Sequence, residues 1–75
     1  MAERLEELTD HLQYGHAVIA YQKQNGDFRL VKATLIYYEA EFHKKYDPTK
    51  IEGAVVYWNV DEQRWTTFQV ENFME

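Results

Sequence analysis

Four residues, Arg29, Lys32, Arg64 and Trp65, have the side-chain chemistry to hold a small anion. Guanidinium and ammonium groups pair with carboxylates and phosphates, and an indole ring stacks on a cation or on a base. If the four side chains converge on one rim, the sequence predicts a ligand site there. In the alternative arrangement, Arg29 and Lys32 are solvated on the outside of a hairpin, and Trp65 packs against Val60.

A second candidate surface is aromatic and consists of Tyr37, Tyr38, Phe42 and Tyr46. Tyrosine is enriched at protein interfaces because it combines a large apolar area with a polar tip. The four rings therefore predict a surface for a protein partner. The alternative is that they cover one end of the hydrophobic core.

Catalytic groups are poorly represented in the chain. It has no serine and no cysteine, so nucleophilic catalysis of the usual Ser–His or Cys–His kind has no nucleophile. Gly15, Gly26 and Gly53 are too far apart to form a phosphate-binding glycine loop. We expect no enzymatic activity and no cofactor.

Histidines and acids are the candidates for metal ligands. His11 and His16 flank a predicted helix end and do not share a face. Glu39 and His43 have helical spacing, at which such a pair is more often solvated than metal-bound. We therefore expect no metal site.

The size and charge of the chain limit its partners. Its 75 residues suffice for one hydrophobic core, which predicts a single domain over residues 1–75. The net charge of −5 disfavours nucleic acid, since binding to phosphates depends mainly on Lys and Arg. With no cysteine, no signal-peptide pattern and no apolar run of membrane-spanning length, we expect a cytoplasmic protein. Its expected partner is a protein or a small anionic ligand, and not a membrane.

A helix is predicted over residues 3–13. Leu5, Leu8 and Leu12 recur at spacings of three and four among acidic residues, which is the pattern of an amphipathic helix. Gly15 can take the left-handed conformation that ends helices. The leucine stripe implies that this helix docks on the core.

A first β-hairpin is predicted over residues 16–37. Asn25-Gly26 favours a two-residue type I′ turn, whose twist matches that of the flanking strands. Such a turn would place Tyr21 opposite Leu30 across the hairpin.

A second hairpin is predicted over residues 54–70, because two β-branched and aromatic runs flank a polar turn. In the expected register, Val60 pairs with Trp65, and Tyr57 pairs with Phe68.

Residues 38–53 are polar and contain the only proline, and they predict a long loop with at most one helical turn. Residues 71–75 predict a short turn or 3₁₀ segment, in which Phe73 covers one end of the core.

Together these elements predict a mainly β (α+β) fold, in which an N-terminal helix is followed by two hairpins. The two hairpins would form a small, strongly bent antiparallel barrel of the SH3-like or Sm-like kind. Only four strands are evident, which would leave one strand edge open. The open edge predicts a homodimer that forms through this edge or through the aromatic face.

Several segments resemble a known family. They are Lys23-Gln24-Asn25-Gly26-Asp27-Phe28-Arg29, Lys32-Ala33-Thr34-Leu35 and the long closing run from Tyr57 to Phe73. Over about residues 16–73 the chain resembles the WYL-like small domains of bacteria and phages, which have an Sm-like SH3 β-barrel fold. The resemblance implies a barrel whose groove, lined by basic residues and often one cysteine, holds an anionic or nucleotide-like ligand.

Carried over residue by residue, the resemblance assigns basic groove positions to Arg29 and Lys32. Ala33 stands where the cysteine is often found. Thr66 and Gln69 occupy last-strand positions that are often basic in such sequences. The groove of this chain therefore carries less positive charge than the resemblance implies.

Overall fold

The computed structural model describes residues 2–74, and side chains from Arg4 onward. Two helices, two 3₁₀ turns and five strands are present within these residues. In chain order they are α1 (Ala2–Leu12), β1 (His16–Gln22), β2 (Phe28–Thr34), α2 (Tyr38–Phe42), a 3₁₀ turn (Pro48–Lys50), β3 (Ala54–Asn59), β4 (Arg64–Gln69), a second 3₁₀ turn (Val70–Asn72) and β5 (Phe73–Met74).

Helix α1 packs its leucine stripe on the core, as its spacing predicts. Leu5 and Leu12 are buried, Leu8 is half-buried, and Thr9 on the same stripe is buried as well. The Thr9 hydroxyl donates to the Leu5 carbonyl 2.9 Å away, so the polar group does not oppose burial. The expected left-handed stop at Gly15 was wrong, since the helix ends at Leu12 and Gly15 is not among the residues with positive φ.

The buried hydroxyl of Thr34 fixes the end of α1 to the sheet. Thr34 Oγ1 lies 2.7 Å from the Gly15 carbonyl and 3.3 Å from the Leu12 carbonyl, and it accepts the Ile36 N–H at 3.2 Å. The Leu35 N–H also donates to Leu12 at 2.8 Å. The bonds from Thr34 and Leu35 to Leu12 supply partners for a carbonyl that a helix leaves free at its C-terminus.

The five strands form one antiparallel sheet in the order β4-β3-β2-β1-β5. Strand β2 pairs with all of β1, whereas only Ala33 and Thr34 pair with β3. The sheet is strongly curved. The evidence is that Tyr21 on β1 stacks on Phe68 on β4, with ring centroids 5.1 Å apart. In a flat sheet these strands would be about 14 Å apart, three times the usual strand spacing. The predicted bent sheet is confirmed.

Strand β5 corrects the four-strand prediction. Phe73 pairs with Tyr21, and Met74 pairs with Ala20, so part of the edge that was expected to be open is covered. Val70–Asn72 forms the 3₁₀ turn expected near this end, and the Phe73 ring stacks on Phe68 at the core boundary. Residue 75 lies outside the described residues.

The first hairpin has a different turn from the one predicted. Gly26 donates its N–H to the Lys23 carbonyl, and Gly26 is the turn residue with positive φ, at 94°. The result is a three-residue loop, and Tyr21 pairs with Arg29 rather than with Leu30. Because side chains alternate along a strand, this one-residue change exchanges the inner and outer faces of β2 relative to β1.

The second hairpin is shifted by two residues. Tyr57 pairs with Thr66 and Trp58 with Trp65, so the expected pairs Val60–Trp65 and Tyr57–Phe68 were wrong. An even shift leaves each side chain on its expected face. Its main effect is to place the two tryptophans directly opposite each other.

Residues 38–53 are more ordered than a long loop. They include α2, which lies at the position of the single helical turn allowed by the sequence, and the 3₁₀ turn Pro48–Lys50. The Asp47 carboxylate accepts the N–H and the hydroxyl of Thr49, which lowers the pKa of Asp47. Within the described part of the chain, no helix has the length and apolar character needed to cross a membrane.

Candidate functional site

Two of the four predicted anion-binding residues meet through an acid. Glu62, in the β3–β4 turn, accepts from the Arg29 guanidinium and, at 2.8 Å, from Arg64 Nε. Arg29 also donates to the Tyr21 hydroxyl at 3.4 Å. The carboxylate therefore occupies donors that a ligand anion would need.

The environment of Arg29 keeps it charged. Burial lowers the pKa of Arg29, but the Tyr21 and Tyr57 hydroxyls and the Glu62 carboxylate together outweigh burial and raise it. A guanidinium that is charged at all ordinary pH values suits an anion site, although here an internal anion is already bound.

The other two predicted ligand residues lie elsewhere. Lys32 is exposed on the outer face of β2, whereas Arg29 is on the inner face. Trp65 packs on Trp58 with ring centroids 5.4 Å apart, and it pairs across the hairpin with Trp58 rather than with Val60. The structure does not bring Arg29, Lys32, Arg64 and Trp65 together on one rim, because positions 29 and 32 point to opposite faces of a strand.

The four predicted partner-binding rings, by contrast, form one cluster. Tyr38 contacts Phe42 at 4.7 Å and Tyr46 at 5.0 Å between ring centroids, and Phe42 contacts Trp65 at 5.0 Å. Tyr37 reaches Trp58 at 5.6 Å. The six rings, which we call the aromatic cluster, are Tyr37, Tyr38, Phe42, Tyr46, Trp58 and Trp65.

Inner and outer members of the cluster have different roles. Tyr38 and Tyr46 are half-buried and pack against the core, and burial raises the pKa of Tyr46. Tyr37 directly precedes helix α2 and Phe42 is its last residue, and they are 49% and 40% exposed. Part of the cluster thus covers the core, as one of the two alternatives expects, and part faces outward.

An open cavity of about 320 Å³ lies on the outer side of the cluster, between α2 and the second hairpin. We call this cavity the aromatic groove. Its lining residues are Tyr37, Ala40, Glu41, Trp58 and Trp65. Concave sites with mostly apolar walls and a few polar groups are typical ligand-binding surfaces.

Helix α2 holds its side of the groove through backbone hydrogen bonds. Tyr38 donates its N–H to Leu35, and His43 donates to Glu39, with His43 in the left-handed region at φ 59°. The buried Leu35 thus ties the first turn of α2 to the core. Five residues are enough for a helix here because its aromatic side chains pack on the sheet.

Sequence reasoning missed Trp58 and Glu41 in the groove and Glu62 between the arginines. The preference of aromatic residues for facing each other across strands could have placed Trp58 opposite Trp65. The acid directly before Gln63-Arg64 could have signalled that Arg64 is paired. The groove position of Glu41 depends on how α2 is packed, and no local pattern indicates it.

A second, more polar cavity of about 430 Å³ lies between the first hairpin turn and β4. Arg29, Lys23, Thr66 and Gln69 are among its lining residues. Thr66 Oγ1 is buried and has no hydrogen-bond partner among the described residues. We call this cavity the polar groove.

Residues 5–74 match the model of a family described as WYL_2, Sm-like SH3 beta-barrel fold. The chain belongs to the WYL_2 family. No curated protein and no solved structure matches it.

Membership of the WYL_2 family confirms the resemblance and the barrel fold predicted from the sequence. In this WYL_2 domain, Thr66 and Gln69 line the polar groove, whereas Ala33 is buried in the core. The Sm-like SH3 fold suggests a small binding or regulatory module, and barrels of this kind are generally non-catalytic. Over the described part of the WYL_2 domain, no three His, Asp or Glu side chains cluster in a way that could hold a metal ion.

Proposed function

We propose that the chain is a non-enzymatic binding module whose aromatic groove takes an apolar segment of a protein partner. The observation that carries this proposal is the gathering of six aromatic rings with two of them, Tyr37 and Phe42, left substantially exposed. Exposed aromatic side chains beside a concave surface are the usual anchors of protein recognition. With no cysteine in the chain, the cytoplasm is the compartment that we propose for this binding.

The charge of the groove indicates which kind of partner segment it would bind. Glu41 is the charged residue among its described lining residues. A Lys or Arg next to the apolar residues of the partner would pair with this carboxylate. Such rim pairs contribute to selectivity and to the association rate more than to affinity.

The two tryptophans of the chain, Trp58 and Trp65, both line this groove and therefore report directly on it. We suggest titrating ¹⁵N-labelled protein with synthetic decapeptides that carry three apolar residues and one Lys, and following the two indole N–H signals. The same peptides with Glu in place of Lys test the charge preference. We expect both indole signals to move, and we expect the Lys peptides to bind more tightly than the Glu peptides.

Two tyrosine variants distinguish the loss of a groove residue from the general effect of removing a tyrosine ring. Tyr37→Ala removes a groove wall, whereas Tyr14→Ala removes an exposed ring that is not part of the aromatic cluster. Tyr37→Ala should weaken binding about tenfold, since a central aromatic residue typically contributes more than about 1.4 kcal/mol. Equal affinities of the two variants, or peptide-induced shifts that avoid both indoles, would refute the proposal.

A second candidate function, the binding of a small anion, is favoured by the polar groove. Arg29 lies along it, as does the Thr66 hydroxyl, which has no hydrogen-bond partner within the described part of the chain. Inorganic phosphate and AMP are suitable probes, with Arg29→Gln as the variant and Lys32→Gln, on the opposite face of the same strand, as the exposed control. Affinity for short single-stranded RNA or DNA should fall steeply with salt if the same residues hold phosphates. Shifts that are the same in Arg29→Gln and in the unsubstituted chain would rule this function out.

A further inference from the structure

The outer face of the first hairpin is unusually apolar. Leu30, Val18 and Phe28 are 75%, 69% and 67% exposed, and Met74 on β5 is also exposed. Isolated exposed apolar residues are common, but a contiguous group of this kind marks an interaction surface.

The strand register shows that these residues are contiguous. Ala20 pairs with both Leu30 and Met74, and Gln22 pairs with Phe28. We call the set Val18, Ala20, Phe28, Leu30 and Met74 the hairpin face. A shallow cavity of about 480 Å³ adjoins it, with Leu8 of α1 and Phe73 also in its walls.

The hairpin face has basic neighbours. Lys32 pairs with Val18 across the hairpin, and Arg4 is the charged residue among the described lining residues of the adjoining cavity. This is an apolar surface with positive charge at its border, on a chain whose net charge is −5. It has the chemistry that we expect of a partner of the aromatic groove, where Glu41 carries the charge.

We propose that the hairpin face of one copy docks in the aromatic groove of a second copy. The two surfaces are complementary in charge, since Lys32 and Arg4 border the hairpin face and Glu41 lies in the groove. This inference rests on the proposed function, because it uses the same groove and names a second copy of the chain as an occupant.

The proposed contact is head-to-tail, and this has a structural consequence. The docked pair has one unused hairpin face and one unused groove, so association continues into a ring or an open chain rather than stopping at a dimer. The surfaces are small, and contacts of this size are typically weak. Assembly should therefore appear as the concentration rises toward about 1 mM.

Two variants at exposed positions each remove one half of the contact. Leu30→Glu places a carboxylate in the hairpin face and leaves the groove unchanged. Tyr37→Glu places a carboxylate in the aromatic groove and leaves the hairpin face unchanged. Gln24→Glu adds the same charge in the exposed turn of the first hairpin and serves as the matched control.

Sedimentation velocity over a concentration series provides the measurement. The unsubstituted chain and Gln24→Glu should exceed the dimer mass as concentration rises, and each of the two interface variants should stay monomeric. An equimolar mixture of Leu30→Glu and Tyr37→Glu should form dimers and stop there, because each mixed pair has one intact contact. Dimer formation in the mixture also shows that both variants are folded.

Two outcomes would overturn the inference. One is a monomeric unsubstituted chain at every concentration. The other is a mixture that stays monomeric although the unsubstituted chain associates, because the intact hairpin face of one variant would then fail to dock in the intact groove of the other. Either result leaves the proposed function testable, because monomeric Leu30→Glu retains its groove and can be titrated with the decapeptides.

Discussion

Replacing Thr34 by valine should destabilise the protein through one hydroxyl group. The side chain is buried, donates to the carbonyl of Gly15 or Leu12, and accepts the N–H of Ile36. Valine has nearly the same shape but offers neither a donor nor an acceptor. The substitution therefore removes the hydroxyl partner of the partly buried Ile36 N–H and of the Gly15 carbonyl, while Leu12 keeps its bond from Leu35.

The size of the effect follows from the number of bonds. The loss of two hydrogen bonds, together with the desolvation of the groups left unpaired, is expected to lower the free energy of unfolding by about 2–3 kcal/mol. A 75-residue chain has a free energy of unfolding of about 4–11 kcal/mol in total. The loss should lower Tm by about 10–20 °C.

Urea unfolding followed by tryptophan fluorescence measures this loss, with Thr67→Val as the matched control at an exposed position of β4. Thr67→Val should stay within about 0.5 kcal/mol of the unsubstituted protein. Thr34→Ser keeps the hydroxyl and removes one methyl group, so it should cost only about 1 kcal/mol. If Thr34→Val and Thr67→Val unfold at the same urea concentration, the hydrogen bonds of the Thr34 hydroxyl contribute nothing to the free energy of unfolding.

Two further predictions concern alkaline pH and the first turn. Burial, together with the Tyr21 hydroxyl 3.1 Å away, raises the pKa of Tyr57 above its ordinary value. The unfolded chain therefore releases this proton first, and the free energy of unfolding should fall above about pH 10, by at most about 1.4 kcal/mol per pH unit for this group. Tyr57→Phe should reduce this slope. Gly26→Ala should cost about 1 kcal/mol, because φ is 94° there, whereas Gly15→Ala should be nearly neutral.

Urea midpoints measured from pH 7 to pH 11 check the first of these predictions. An unchanged alkaline slope in Tyr57→Phe would assign the loss of stability to other groups. For the turn, differential scanning calorimetry of the two alanine variants is sufficient. If Gly15→Ala is the less stable of the two variants, the positive φ at position 26 does not disfavour alanine.

Local signals in the sequence were enough for the main elements of the fold. The leucine spacing of α1 and the β-rich runs gave the helix and four strands, since each depends on periodicity within one segment. Family membership, too, follows from residue types along the chain. Strand β5 has only two residues, Phe73 and Met74, which is too short for any periodic pattern.

The candidate sites depended on register, which the sequence specified less well. Asn25-Gly26 is compatible with more than one hairpin loop, and the loop length decides whether Arg29 or Leu30 faces Tyr21. The aromatic cluster was largely identified, because Tyr37, Tyr38, Phe42 and Tyr46 are close in the chain. Trp58 joined them only through the second hairpin register.

By itself, then, the sequence determined what could be read within a single segment: the helix stripe, the strand runs, the family and the aromatic character of residues 37–46. Tertiary structure alone decided which segments meet. It put Glu62 between Arg29 and Arg64 and left the hairpin face uncovered. The physical reason is that side chains alternate between the two faces of a strand, so a shift of one residue in a turn redirects every side chain that follows.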